Sequence, residues 1–266
     1  MKVKYLKPLL LQAPSAWAVI RALEAEVLEQ FSFRPPILEI GCGDGIFSQV
    51  LFAKKGAVDV GIDIHKQELE RASKTGVYKH LILTSATDIP LKAQSQRTVF
   101  SNGVLEHILE LEKVLAEVSR VLIPRGHLIF TCPTSRLTQN LMGYSLLKNI
   151  GCSRCAAAYG RMVNGMFRHH NLYDVPTWRR FLKRHGLHIV SVRHYNPKRT
   201  TRTHELLLPF AFPSAVTKRF ADRQVLFKSV RSVAVTRILV PLLRRLETAD
   251  QNSTAQSSVA IDAVKL

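Results

Sequence analysis

An α/β fold with a doubly wound, mostly parallel sheet is what this sequence predicts, and three observations carry the prediction. Short apolar runs alternate with segments of helical spacing from Ile37 onward. The links between them are short, which favours parallel strands joined by crossover helices. The first apolar run, Ile37-Leu38-Glu39-Ile40, passes straight into Gly41-Cys42-Gly43-Asp44-Gly45 and then into the helical spacing of Phe47, Val50 and Leu51. A strand, a turn rich in residues without Cβ and a helix N-terminus together make a cradle for a nucleotide at the carboxyl end of the sheet.

Each element follows in order. Ser15 to Gln30 spaces Trp17, Ile20, Leu23, Val27 and Leu28 as an amphipathic helix ahead of the sheet. Ile46 to Lys55 is the first crossover helix, and Val58 to Asp63 is the second strand, ended by Asp63. Gln67 to Thr75 is a helix, Lys79 to Thr84 a third strand and Thr98 to Ser101 a fourth. Leu111 to Leu122 is an amphipathic helix, Pro124-Arg125-Gly126 a tight turn, and His127 to Cys132 the fifth strand, closed by Pro133. From Thr134 to Arg168 the rhythm breaks into helical fragments rich in Leu, Met and small residues, as a cap over the carboxyl end of the fifth strand does. Met142, Tyr144, Met162, Met166 and Phe167 there are candidates either for pocket lining or for plain packing. Asp174 caps a helix that carries Pro176 in its first turn, runs from about Thr177 to His185 and ends at Gly186. Leu187 to Tyr195 is the sixth strand.

The glycine spacing decides the nucleotide. Dinucleotide folds want Gly-x-Gly-x-x-Gly, whereas Ile46 stands where the third glycine would be and the glycines fall at 41, 43 and 45. An acid two places ahead of the first glycine, here Glu39, completes a pattern that resembles motif I of the class I S-adenosylmethionine-dependent methyltransferases. The segment Asn102-Gly103-Val104-Leu105-Glu106-His107-Ile108 is similar to the stretch after strand four in the small-molecule, type 11 branch of that family. The resemblance covers about Ile37 to Cys132 well and Asn171 to Tyr195 loosely. It implies a Rossmann-like, seven-stranded sheet and S-adenosyl-L-methionine as cofactor, with Glu39, Gly41, Cys42, Gly43 and Gly45 at the turn and Asp63 and Ile64 at the ribose. It further implies Ser85 and Ala86 at the adenine and Asn102 beside the methyl donor. Two positions depart from the family pattern: Ser85 stands where an aspartate is usual, and Arg97 where an acid usually precedes strand four.

Methyl transfer from a sulfonium is an in-line displacement, so alignment and exclusion of water matter most and acid–base help is optional. For a hydroxyl acceptor a histidine is a natural base near neutral pH. His107, after strand four, and His169, arriving from the cap, are the catalytic candidates, with His170 and Tyr173 nearby. No metal is expected: Cys152-x-x-Cys155 has no second pair, and His169-His170 is an adjacent doublet. Four cysteines in a chain of this length fit reduced thiols better than a disulfide scaffold.

The net charge of +18 is concentrated in residues 151–245, which hold 19 Lys and Arg against 3 Asp and Glu. Sign alone attracts nucleic acid, anionic lipid and acidic small molecules alike. Between Val216 and Leu246 the cations interleave with Val, Leu, Ile and Phe, which suits an interfacial segment on an anionic leaflet better than a nucleic-acid surface. A helix packed on the fold with a basic outer face is the competing reading. No secretory segment is recognisable, since Met1 to Gln12 mixes lysines with leucines, so a cytoplasmic protein, peripheral at a membrane, is expected.

The expected organisation is an N-terminal helical segment (1–36), the cofactor-binding core (37–133), a cap and substrate insertion (134–175), the rest of the methyltransferase fold (176–210), a basic apolar helical extension (211–250) and a disordered tail (251–266). The function this implies is methylation, on oxygen or carbon, of a small or amphipathic, lipid-like acceptor. A nucleic-acid or protein methyltransferase docking through the basic half is one alternative, and a binding protein that keeps the fold without catalysis is the other. No Asn-Pro-Pro-Tyr type segment follows strand four, which argues against amino-group methylation of bases or glutamine.

Overall fold

In a computed structural model, which describes residues 2–221, 235–244 and 255–266, seven strands form one sheet in the order β3-β2-β1-β4-β5-β7-β6. The strands are β1 (Ile37–Ile40), β2 (Val58–Asp63), β3 (Tyr78–Leu83), β4 (Gln96–Asn102), β5 (Leu122–Pro133), β6 (Leu187–Tyr195) and β7 (Ser258–Lys265). β7 runs antiparallel to both of its neighbours, and all other pairings are parallel. Strand order reverses between β1 and β4, and in open α/β sheets ligands bind in the crevice at that point.

Alternation along the strands splits the core in two. Phe100, Ile129 and Ala260 face one side, where they meet α1 (Val3–Gln12), α2 (Ser15–Leu28) and α3 (Ile46–Phe52). Val99, Leu128, Phe130, Val259 and Ile261 face the other, against α5 (Leu111–Val121) and α9 (Val175–Arg184); α4 (Lys66–Ser73) completes the crossovers. Trp178 of α9 is wholly buried on Phe130, with ring centroids 4.8 Å apart. The α9 start is as expected, Asp174 accepting a hydrogen bond from the Thr177 amide at 3.0 Å.

The cap consists of α6 (Arg136–Asn140), α7 (Met142–Asn149) and α8 (Ser153–Met166). α10 (Lys198–Ala221) packs on α2 and α6, and its Glu205 accepts from the Gly143 amide at 3.0 Å and the Tyr159 hydroxyl at 2.6 Å, tying it to α7 and α8. A π-helical turn, Val235–Leu239, and α11 (Val240–Arg244) pack against α1.

Three expectations are corrected. Residues 258–265, expected as part of a disordered tail, form β7, with Val259, Ala260, Ile261 and Ala263 fully buried between β5 and β6. Their alternation is short and follows a Ser/Gln/Thr-rich stretch, and the burial comes from the two strands they join. Pro124, Arg125 and Gly126, expected as a tight turn ahead of the fifth strand, lie within β5, and Lys198, Arg199 and Arg202 begin α10. Cys152 and Cys155, expected reduced, are joined by a disulfide, since three residues apart at the start of α8 their Cα atoms stand 5.3 Å apart. Cys42 and Cys132 are free and buried. Of the basic apolar segment, 222–234 and 245–250 lie outside the described residues. No helix among the described residues is long and apolar enough to cross a membrane.

Candidate active site

The turn after β1 is built as its glycines require. Gly41, Gly43 and Gly45 take φ values of 69°, 54° and 74°, a region L side chains rarely adopt. At Gly41 a Cβ would stand 2.5 Å from Cγ2 of Val104, so the β1 turn and the β4 turn touch there. At Gly43 a Cβ would meet nothing within 4 Å, which leaves open space over the turn. The amides of Gly41 and Cys42 donate to the Ile62 carbonyl at 2.8 and 3.1 Å, and the Gly43 amide donates to Asp63 Oδ2 at 2.9 Å. Asp63 Oδ1 accepts from the His65 amide at 2.9 Å. Asp63 Oδ1 also lies 3.1 Å from His65 Nδ1, so the tip of β2 is fixed beside the turn with a lone pair remaining on Oδ2. Ile64, next in the chain, is 64% exposed, an apolar surface presented beside the acid.

Glu39 lies beneath the turn. Ser48 Oγ donates to its carboxylate at 2.7 Å and the Tyr78 hydroxyl at 2.9 Å, so its partners are α3 and β3. Burial pushes its pKa up from 4.5 to about 7, against the opposing pull of the Ser48 and Tyr78 hydrogen bonds. Burial likewise raises the Cys42 thiol far above its ordinary range. In the β3–β4 loop the exposed Ser85 hydroxyl pairs with Thr87 Oγ1 at 2.8 Å, and Ala86 is buried.

At the end of β4, Asn102 donates from Nδ2 to Glu24 Oε2 at 3.0 Å and accepts from Thr131 Oγ1 at 2.6 Å. Glu24 also accepts from Arg21 at 2.7 Å and from the Tyr195 hydroxyl at 3.3 Å. This polar cluster joins α2, β4, β5 and β6 and was not foreseen from the sequence. Glu24 and Tyr195 alone lie 171 positions apart, and Arg21 and Glu24 read alone as the solvent face of an amphipathic helix.

His107 and His169 are brought together. Their rings stack with centroids 5.4 Å apart, and Phe167 stacks on His169 at 5.6 Å. Residues 168–171 are docked there by backbone bonds: the His170 and Asn171 amides donate to the Glu106 carbonyl at 2.7 and 3.0 Å, and Asn171 Nδ2 donates to the carbonyls of Leu105 and Ile108. His170 and Tyr173 lie outside the cavity wall described next. Glu106, 4% exposed, is a further site residue that the sequence does not single out from its neighbour His107. Burial raises its pKa to about 8, and burial lowers both imidazoles, His169 to about 4.

These groups face a cavity of about 670 Å³ lined in part by α2, the cap and α10. Its polar wall includes Arg21, Glu24, Glu106, His107 and His169; its apolar wall includes Trp17, Leu141, Met162, Met166, Phe167 and Leu208. Of the expected lining residues Met162, Met166 and Phe167 take part, whereas Met142 and Tyr144 lie outside the wall. Gly103, in the loop that touches Gly41 through Val104, connects the cavity to the glycine turn.

A sheet of this order, with its one antiparallel strand and a glycine cradle at the β1/β4 crevice, is that of the class I S-adenosylmethionine-dependent methyltransferases, whose cofactor is S-adenosylmethionine. Residues 38–130 match the family model described as "Methyltransferase domain", and they form such a domain. The chain is 31% identical over 128 residues to an uncharacterized methyltransferase of Schizosaccharomyces pombe, covering 44% of this chain and 48% of the relative. It is 32% identical over 117 residues to the ubiquinone biosynthesis O-methyltransferase of Vibrio vulnificus, covering 42% and 48%. It thus spans about half the length of the curated relatives it matches. Among solved structures, a methyltransferase from Thermotoga maritima, titled as a possible histamine N-methyltransferase, superimposes with a TM-score of 0.56 at 14% identity, over 94% of this chain and 91% of that one. The geranyl diphosphate C-methyltransferase of Streptomyces coelicolor does so with 0.55 at 14%, over 95% and 84%. At that identity the likeness is one of fold.

Proposed function

We propose that this chain transfers a methyl group from S-adenosylmethionine, by in-line displacement, to an oxygen or carbon of a small or amphipathic acceptor held in the capped cavity. The observation that carries this reading is the placement of the stacked His107–His169 pair in an otherwise largely apolar cavity that adjoins the glycine turn through Gly103 and Val104. An apolar pocket with a few convergent polar groups is the usual form of a small-molecule site. That several relatives carry the name O-methyltransferase, including the malonyl-[acyl-carrier protein] O-methyltransferase of Hamiltonella defensa, supports oxygen as the receiving atom.

In this reading Asp63 accepts the ribose hydroxyls and Ile64 covers one face of the adenine. Ser85 and Ala86 meet its edge. Gly41, Cys42, Gly43 and Gly45 bring the backbone close to the methionyl part, with Glu39 holding the turn from below and Asn102 fixing the end of β4. The acceptor's polar end meets His107 and His169, either of which can take the proton of a hydroxyl as the methyl arrives. Its apolar part lies along Leu141, Met162, Met166 and Leu208, where the cap excludes water. The basic C-terminal half favours an acceptor drawn from an anionic membrane surface over one in nucleic acid.

Calorimetric titration with S-adenosylmethionine and S-adenosylhomocysteine is the test. Binding that Asp63→Ala weakens by at least about 100-fold, the loss of two hydrogen bonds to a charged group, is the expected outcome. Retained affinity in that variant, or no binding by the parent chain, sinks the reading. Transfer of labelled methyl from the cofactor into fractions of a lipid extract then identifies the acceptor.

A further inference from the structure

Two imidazoles and a carboxylate converge in the cavity wall in a way the methyl-transfer reading does not require. Glu106, His107 and His169 each bring one ligand atom within 4.8 Å of the others. Glu106 is 4% exposed, its Oε2 is buried with no hydrogen-bond partner, and its Oε1 stands 3.8 Å from His107 Nε2, beyond hydrogen-bond reach. A buried carboxylate without a partner is costly and is normally paired or bound to a metal.

The histidines are held as metal-binding histidines are. His107 Nδ1 lies 3.2 Å from the Arg168 carbonyl, an acceptor only, so Nδ1 carries the proton and Nε2 the lone pair. His169 Nδ1 lies 3.5 Å from Asn164 Oδ1, and Asn164 is itself oriented because its Nδ2 donates to Thr138 Oγ1 at 3.1 Å. His169 Nε2 is therefore left with its lone pair as well. A carbonyl on the far ring nitrogen is the usual outer support that fixes tautomer and ring direction at a metal ligand. Arg21, the guanidinium in the same wall, is paired with Glu24 at 2.7 Å.

We propose that Glu106, His107 and His169 form a binding site for one divalent transition-metal cation such as Zn²⁺, Co²⁺ or Mn²⁺. Two imidazole nitrogens and one carboxylate oxygen suit these ions rather than Mg²⁺ or Ca²⁺, which prefer all-oxygen shells. Ligand atoms around a tetrahedral ion stand about 3.3 Å apart, so side-chain rotation of about 1 Å closes the cluster. Three protein ligands leave at least one position open, and it faces the cavity because all three residues line it. An oxygen of the bound acceptor completes the shell and is polarised there, which deepens the proposed function by favouring acceptors with a hydroxyl beside another oxygen. A cation takes the lone pairs that a base would need, so ligand and base are exclusive roles for these imidazoles.

The test uses the full-length chain in a Cys152→Ser, Cys155→Ser background, so that thiols do not compete. Chelator-treated protein is titrated with Co²⁺ and its visible d–d absorption followed. One equivalent is expected, displaced by Zn²⁺, with affinity reduced about tenfold or more by Glu106→Gln and by His169→Ala, and to a smaller extent by Asn164→Ala. Cooperative thermal melting confirms that each variant is folded. Unchanged Co²⁺ affinity in the Glu106 and His169 variants, or no saturable Co²⁺ binding by a folded parent, overturns the proposal. Because the readout needs no cofactor, failure to bind S-adenosylmethionine overturns only the methyltransferase reading on which the acceptor's role rests.

Discussion

Gly41 and Gly43, one with a neighbour over it and one with open space, make the sharpest test of the cofactor turn. Alanine at Gly41 combines a φ of 69° with a Cβ 2.5 Å from Val104, and is expected to cost about 3 kcal/mol of folding stability. Alanine at Gly43 meets nothing within 4 Å and costs only about 1 kcal/mol of backbone strain. On the proposed reading, its methyl group enters the space the cofactor takes. Urea unfolding should therefore single out Gly41→Ala, and calorimetry should show Gly43→Ala folded but weakened at least about tenfold for S-adenosylmethionine. The reverse ranking would show that the open space at Gly43 is not the cofactor's. Glu39 makes a second prediction through its pKa, raised in the folded chain from 4.5 to about 7. Between those pH values the folded chain holds a proton that the unfolded chain has released. Stability thus falls as pH rises through the window, by on the order of 3 kcal/mol, and no further loss from this group follows above it. Glu39→Gln removes that part of the slope, so its stability relative to the parent chain should improve from pH 5 to pH 8. A constant difference across the range would mean that Glu39 is ionised in the fold at both values.

At the scale of elements, what the sequence disclosed and what it hid have one physical cause. β1, β2 and β4 are central and mostly buried on both faces, so they read as apolar runs, and the cofactor turn is legible because its residues are consecutive. The Arg21–Glu24–Asn102–Thr131–Tyr195 cluster is assembled from four elements and leaves no local signature. β7 was hidden for the opposite reason: Ser258-Val259-Ala260-Ile261-Asp262-Ala263 carries small and polar residues, and only insertion between β5 and β6 buries it. Asp262 is met there by His127 at 2.8 Å. The alternation of Val259, Ile261 and Ala263, set beside a sheet still lacking its antiparallel strand, is the signal that could have found it. The energetic consequence is large. Ile261→Ala is expected to cost about 3 kcal/mol in urea unfolding, the usual cost of truncating a core isoleucine. Removing residues 255–266 strips both β5 and β6 of a partner and should abolish cooperative unfolding and near-ultraviolet circular dichroism. A shortened chain that still unfolds cooperatively would make β7 an accessory rather than a part of the fold.

For the whole molecule, the net charge of +18 and the largely apolar cavity bear on each other. An acceptor with an apolar chain is scarce in water and concentrated in membranes, so an enzyme that uses one gains by resting on the bilayer. Lys218, Arg219, Arg223, Lys228, Arg231, Arg237, Arg244 and Arg245 share the stretch of sequence that runs from the last turn of α10 to Arg245, ahead of β7, with Asp222 the one acid from Lys218 to Arg245. Each cation near an anionic leaflet contributes about 1 kcal/mol, and the sum is screened by salt. Because β7 lies after this stretch, a chain cut before it cannot serve as the comparison, since the sheet would lose the strand that joins β5 to β6. The informative variant keeps the full chain and replaces four of the eight cations by glutamine. Flotation with phosphatidylcholine vesicles containing phosphatidylserine should recover the parent chain at low salt and lose it at high salt. The glutamine variant should float far less at either, and vesicles of phosphatidylcholine alone should recover little of both. Equal flotation of parent and variant would reduce the basic stretch to a solvated face. The acceptor would then have to reach the cavity from solution, which favours a small polar molecule over a lipid.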